Sequence, residues 1–131
     1  MEAIKDKLSV KTEVGGYARY EKDYYFSVVL NDQVPGNPWI ISTLWVAEWE
    51  IAKAQTLSEL AEAYEILHWA YKQTMESGVL PEQLNPLTGD PLSVAPLTWS
   101  HSTFVMTVNK YVEKYNELQR IESEAQCLLM S

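Results

Sequence analysis

The sequence has one cysteine and two histidines, and this shortage excludes two kinds of protein. The single thiol, Cys127, cannot form an internal disulfide, so nothing indicates a disulfide-stabilised secreted scaffold. Two histidines and one cysteine cannot form a zinc site without carboxylate ligands, and no spacing suggests such a site. We therefore expect no metal and no other cofactor.

Basic residues are also scarce, with 10 Lys and Arg against 18 Asp and Glu and a formal net charge of −8. Contacts to phosphate need a basic face, which argues against nucleic acid and against anionic lipid as partners. No apolar run approaches the roughly 18 residues that a membrane span needs. The N-terminal sequence MEAIKDKLSV has no apolar signal core, so we predict a cytoplasmic protein.

The chain of 131 residues is long enough for one domain, and its 47% hydrophobic content is sufficient for a core. Aromatic residues are numerous, and five Trp and eight Tyr far outnumber two Phe. Trp and Tyr combine an apolar ring with a hydrogen-bonding group. This composition favours surfaces that are partly apolar and partly polar.

The hydrophobic pattern predicts an all-α fold with one short and three substantial helices. The expected helices span residues 2–9, 38–54, 57–77 and 98 to the mid-120s, the second of them apolar around most of its circumference. Asn37 and Pro38 predict an N-cap and a first helical residue, and Thr56 with Glu59 predicts a capping box. We expect the charged tail from Asn116 onward to fray or project.

Two long loops separate the helices. Residues 17–34 are crowded with aromatics and have no helical period, although a short extended piece is expected at Phe26–Leu30. Residues 79–97 contain four prolines, and loops of this length are often functional. Helices joined by such loops on one side resemble part of a helical barrel more than a tight bundle.

Glu82 is the first candidate for chemistry. It follows Pro81 in the proline-rich loop, with apolar residues rather than charges around it, which is how a general base is held. The alternative is an ordinary solvated glutamate. His101, in the expected first turn of the last helix, is read as a capping or supporting group.

The aromatic residues and Arg19 are the second set of candidates. Tyr20, Trp39 and Trp99 could stack on the C–H faces of a sugar ring, or they could simply anchor the core and the loops. Arg19 could bind a hydroxyl or a carboxylate, or form a structural ion pair with Glu21 or Asp23.

Three motifs carry a specific resemblance: GGYARYEKDYYF, GNPWIISTLWVAEW and GVLPEQLNPLTGDPLSVAPLTWSHSTFV. In this order they resemble the C-terminal part of the catalytic domain of the family 15 glycoside hydrolases, which comprise glucoamylases, glucodextranases and archaeal trehalases. The match covers nearly all of residues 1–115. It implies a partial (α/α)6 barrel, the last helices of an α/α toroid, over residues 1–131.

The resemblance also implies roles for individual residues. The family hydrolyses α-linked glucosides with inversion, and its general base, in a Glu-Gln motif, falls on Glu82. The residues implied to bind the substrate are Arg19, Tyr20, Trp39, Gln83 and Trp99. The family's general acid lies upstream of the first motif, and the chain contains no counterpart.

Two functions follow from this resemblance. In the first, the chain is the base-carrying portion of an inverting α-glucoside hydrolase and is inactive alone. In the second, it is an inactive helical module with at most weak carbohydrate binding. A helical protein-interaction domain unrelated to sugar is a third reading, disfavoured by the order of the motifs. The barrel helices left uncovered in this resemblance predict a homo-oligomer or pairing with a separately encoded upstream barrel fragment.

Overall fold

The computed structural model describes residues 1–28 and 33–130. In that part of the chain the helices are α1 (Glu2–Leu8), α2 (Ile40–Lys53), α3 (Leu57–Lys72) and α4 (Thr98–Met130). A two-stranded antiparallel sheet joins β1 (Gln83–Leu84) to β2 (Pro91–Leu92), with Gln83 opposite Leu92. The expected all-α fold is confirmed, with this small hairpin inside the proline-rich loop.

Helix α2 is the central element of the core. Nine of its residues are buried, as its apolar circumference predicts, and it packs against both α3 and α4. Ile40 and Leu44 of α2 meet Leu67 of α3 and Leu80 of the following loop in one apolar cluster. A second cluster joins the C-terminal end of α2 to α3 and to Leu118 of α4.

The start of α2 differs from the expected one. The helix begins at Ile40 with Trp39 as its N-cap, so the expectation of a cap at Asn37 and a first helical residue at Pro38 is wrong. The amide of Asn37 instead donates hydrogen bonds to the Gln83 side chain and to a backbone carbonyl. Residues 37–39 are therefore held out of the helix by contacts with distant segments.

Helix α3 begins as expected and ends early. The Thr56 hydroxyl accepts a hydrogen bond from the Glu59 N–H at 3.1 Å, and the Glu59 carboxylate accepts one from the backbone N–H of Gln55. The helix ends at Lys72 rather than at residue 77, because the chain turns back between Met75 and residue 79.

Helix α4 runs to Met130, beyond the expected mid-120s. Its residues 119–130 are all exposed, so this end projects as a helix rather than fraying. The extended piece expected at Phe26–Leu30 falls partly on residues 29–32, which lie outside the described residues, and Phe26 itself occupies a turn with φ of 55°.

A buried carboxylate fastens α1 to α2. Glu50 is fully buried, and its two oxygens pair with the ammonium groups of Lys5 and Lys53. Burial raises the pKa of Glu50, but the hydrogen bonds from the two lysines outweigh burial and lower it overall. Both ammonium groups also lie over the ring of Trp49, the Lys53 group at 4.2 Å from its centroid.

Among the helices of the described residues, none combines the length and apolarity that crossing a membrane demands.

Candidate functional site

Three distant segments meet in the backbone around Trp39. The Trp39 N–H donates to the Tyr17 carbonyl at 2.9 Å, and the Ile40 N–H donates to the Glu82 carbonyl at 3.2 Å. Trp39 thereby pairs with Tyr17 on one side and with Gln83 on the other. This arrangement brings the three sequence motifs together at the start of α2.

Glu82 is half-buried and its backbone is fixed on both sides. Its N–H donates to the Val94 carbonyl at 2.9 Å, across the base of the β1–β2 hairpin. Its carboxylate accepts a long hydrogen bond, 3.3 Å, from the Gln83 side-chain amide. The Glu82 side chain is therefore only partly exposed to solvent, and it forms no salt bridge with any of the described residues.

Gln83 is fully buried and joins the two loops. Its side-chain oxygen accepts a hydrogen bond from the Asn37 amide at 2.8 Å, and the same Asn37 amide donates to the Phe26 carbonyl at 2.9 Å. Buried amides are costly unless paired, so this interaction fixes the side-chain orientation of Gln83. The orientation in turn directs the Gln83 amide nitrogen at Glu82.

The side chain of Arg19 lies between a carboxylate and aromatic rings. It donates to both oxygens of the buried Asp23, from Nε at 3.0 Å and from Nη2 at 3.1 Å. The hydrogen bonds that Arg19 donates to the Asp23 carboxylate raise the pKa of Arg19, so the guanidinium stays charged. The structural ion pair considered for Arg19 is thus present, and it holds the side chain in one orientation.

Three rings surround this guanidinium. Its carbon lies 4.3 Å from the centroid of the Trp39 ring, 4.9 Å from that of Tyr20 and 5.5 Å from that of Tyr25. Tyr20 is half-exposed, and its hydroxyl accepts a hydrogen bond from Arg19. The exposed edge of the group therefore combines aromatic surface with positive charge.

Taken together, five of the six sequence-predicted site residues form one continuous set of contacts: Arg19, Tyr20, Trp39, Gln83 and Glu82. Trp99 is different. It is 54% exposed at the start of α4, and its ring packs edge-to-face on Trp45, with the centroids 5.9 Å apart. Trp99 thus contacts Trp45 of α2, a residue that the sequence patterns did not single out.

Two buried polar atoms near these residues have no hydrogen-bond partner in the described part of the chain. They are Nε1 of Trp39 and Oγ of Ser93, the latter on a residue with φ of 62° beside the Val94 carbonyl that binds Glu82. Such atoms are expensive to leave unpaired, which marks them as candidates for contact with a bound molecule or water. No sequence pattern indicated Ser93.

Groups of three or more His, Cys, Asp or Glu side chains that could hold a metal ion are not found among the described residues. The donors and acceptors of the site are the Glu82 carboxylate, the Arg19 guanidinium and the Tyr20 hydroxyl. This set can bind hydroxyl groups and can accept a proton.

Comparisons with known proteins agree with the motifs. No family model matches the chain. The uncharacterized glycosyl hydrolase MJ1610 of Methanocaldococcus jannaschii is 34% identical over 107 residues, 75% of this chain and 16% of that protein. The chain therefore has a distant similarity to a glycosyl hydrolase of which it spans a small part.

Solved structures show the same fold. A bacterial glucoamylase in complex with acarbose matches with a TM-score of 0.63 at 22% identity, over 86% of this chain and 17% of that one. The Hormoconis resinae glucoamylase matches with a TM-score of 0.61 at 20% identity, over 87% and 26% of the two chains. The expected partial α/α toroid is thereby confirmed, and the chain corresponds to a small portion of it.

Proposed function

We propose that the chain is the base-carrying portion of an inverting glycoside hydrolase that cleaves α-linked glucosides. In this function Glu82 is the general base, and the glucoside is contacted by Arg19, Tyr20, Trp39 and Trp99. Gln83, which is fully buried, serves the substrate site indirectly through its hydrogen bond to the Glu82 carboxylate. The observation that carries the proposal is the continuous contact network from Arg19 through Trp39 and Gln83 to Glu82. Maltooligosaccharides, dextrans and trehalose are all α-linked glucosides and are all candidate substrates.

The chemistry assigned to Glu82 requires an ionised carboxylate held without a competing cation. Glu82 would take a proton from a water molecule as that water attacks the anomeric carbon. A carboxylic acid on the opposite face of the sugar must protonate the leaving oxygen, about 6.5–9.5 Å from the base. We infer that residues outside this chain supply that acid.

The aromatic residues and Arg19 would orient the sugar. Arg19 has a fixed direction, because Asp23 occupies one edge of its guanidinium, and its remaining N–H groups could donate to hydroxyls. The half-exposed rings of Tyr20 and Trp99 could pack on the apolar faces of the sugar. Positioning of this kind contributes to catalysis by reducing the entropy lost on reaching the transition state.

The proposed partner follows from an uncovered surface of α4. Val105, Met106, Val112 and Trp99 are large apolar side chains of α4 that lie exposed. Several exposed apolar side chains on one element often mark an interface. We propose that further barrel helices, separately encoded or in the same polypeptide, or a second copy of the chain cover it.

The same surface favours an alternative function, a catalytically inactive helical module that self-associates. Mass measurement by light scattering tests the association, which predicts a dimer or larger species at micromolar concentration. Val105→Glu should shift the chain toward monomer, because it places a charge in the interface. A monomeric wild-type chain would contradict self-association.

Glucose release tests the hydrolase function directly. The chain is mixed with MJ1610 from which the matching portion has been removed, assembly is verified by light scattering, and maltose and trehalose are the substrates. We expect release by the wild-type chain and a loss of at least about a hundredfold in Glu82→Gln. Glu76→Gln, an exposed glutamate in a neighbouring turn, is the matched control. An assembled complex that releases no glucose would contradict the proposal.

A further inference from the structure

The first turn of α4 and the residue before it bind the backbone immediately before Glu82. The Leu80 N–H donates to Nε2 of His101 at 2.9 Å, and the Leu80 carbonyl accepts from the Leu97 N–H at 3.1 Å. The Pro81 carbonyl accepts from the Ser100 hydroxyl at 2.9 Å. These three hydrogen bonds, which we name the α4 clamp, join two segments that lie far apart along the sequence.

The clamp completes the hydrogen bonding of the short segment that ends in Glu82. Proline has no N–H, so residues 80–82 carry five backbone polar groups, and the clamp pairs three of them. The other two belong to Glu82, whose N–H donates to the Val94 carbonyl and whose carbonyl accepts from the Ile40 N–H. Every backbone donor and acceptor of the segment is therefore bonded, and the direction of the Glu82 side chain is fixed from both ends.

We propose that His101 and Ser100 are positioning residues for the Glu82 carboxylate. The proposal rests on the function given above, in which that carboxylate is the general base. Neither residue needs to touch a substrate: each acts through the backbone of Leu80 or Pro81. Leu80 is buried, so removing its acceptor would leave an N–H group without a partner away from water.

The geometry also assigns the tautomer of His101. A ring nitrogen that accepts a hydrogen bond from an amide carries no proton, so the neutral imidazole holds its proton on Nδ1. Ser100 is fully buried, and its hydroxyl donates to Pro81 rather than to a carbonyl of its own helix. Both side chains thus form hydrogen bonds with the neighbouring loop and not within α4.

Nuclear magnetic resonance on the full chain tests the clamp without any need for activity. Nitrogen chemical shifts at neutral pH should show His101 protonated at Nδ1 and unprotonated at Nε2. Hydrogen exchange at the amides of Leu80 and Glu82 should accelerate about tenfold or more in His101→Leu. The amides of α2 beyond Ile40, whose own N–H donates to the Glu82 carbonyl, should keep their protection, because the effect is confined to the loop.

Conservative and control variants separate positioning from general stability. His101→Gln retains a side-chain acceptor and should restore most of the protection of the Leu80 amide. Ser100→Ala should accelerate exchange at Glu82. The matched control is Ser102→Ala, because the Ser102 hydroxyl donates to the carbonyl of Trp99 within its own helix and should leave residues 80–82 unaffected.

In an assembled complex that releases glucose, His101→Leu should lower kcat about tenfold and leave KM unchanged, since the base is displaced while the sugar contacts remain. A proton on Nε2 in the wild-type chain, or unchanged exchange at Leu80 in His101→Leu, would overturn the proposal. An assembled complex without glucose release would instead contradict the hydrolase function, while the tautomer and the exchange rates still decide whether the clamp exists.

Discussion

The carbon of the Arg19 guanidinium lies 4.3 Å from the centroid of the Trp39 ring, while both oxygens of Asp23 accept hydrogen bonds from the same group. The contact places a permanent positive charge on the aromatic surface of the candidate site. The charge and the ring are therefore presented together.

Replacement of Arg19 tests this arrangement. Arg19→Lys keeps the charge but loses the paired hydrogen bonds to Asp23, and we expect the free energy of unfolding to fall by about 1–2 kcal/mol. Arg19→Ala should cost about 3 kcal/mol, because it leaves the buried Asp23 carboxylate unpaired. Urea unfolding measures both, with the exposed Lys11→Ala as control. Equal losses in the Lys and Ala variants would argue against the paired geometry.

The amide pair of Asn37 and Gln83 should show measurable coupling. Asn37→Ala and Gln83→Ala each leave a buried polar group without its partner, whereas the double variant removes both groups. We expect a coupling free energy of about 1 kcal/mol in a double-mutant cycle of urea unfolding. Additive losses would show that the hydrogen bond at 2.8 Å contributes little.

Two glycines with similar backbone angles provide a test of close packing. Gly16 has φ of +83°, and a Cβ there would lie 2.6 Å from the ring of Trp69, whereas Gly78 has φ of +78° and open space around it. Gly78→Ala should cost about 1 kcal/mol from backbone strain alone. Gly16→Ala should cost about 1–3 kcal/mol more, from overpacking. Equal melting temperatures for the two variants would show that Trp69 moves aside without cost.

Lys5 should contribute to stability in a pH-dependent manner. The pKa of Glu50 lies below its ordinary value in the folded chain, so its pairing stabilises the fold at neutral pH, and this contribution is lost as the pH falls through the folded pKa. Lys5→Met removes one of the two cations, and we expect a loss of about 2 kcal/mol at pH 7.

The loss in Lys5→Met should shrink as the pH falls through the lowered pKa of Glu50, because protonation then removes the pairing from the wild-type chain as well. Urea unfolding at pH 7 and at acidic pH provides the measurement. Lys7→Met is the control, because Lys7 pairs only at 3.5 Å with Glu21 and both side chains are exposed. A loss independent of pH would assign the role of Lys5 to packing on Trp49.

The sequence was sufficient to predict the helices because their signals are local. The apolar circumference of α2 and the hydroxyl of Thr56 at the start of α3 act through neighbours a few residues away. The prediction of Asn37 as a cap was wrong because a long-range contact competes with the local one. The Asn37 amide is bonded to Gln83, 46 positions further along the chain, and a pattern of neighbouring residues cannot reveal such a partner.

The difference between local signals and long-range contacts also applies to the candidate site. The motifs identified Glu82, Arg19 and Trp39, and the structure adds how they are connected. Their roles in hydrolysis, the oligomeric state and the location in the cell stay predictions. The contacts of His101 with Leu80 and of Trp99 with Trp45 could not be read from the sequence, since they depend on how α4 packs against the rest of the chain.

The pairing of Trp39 with Tyr17 on one side and Gln83 on the other has a consequence for folding. The three partners are distant in sequence, so closing these loops costs chain entropy that only the finished packing offsets. No short peptide cut from the chain would reproduce the site. We therefore expect the site to form together with the packing of the helices and not ahead of it.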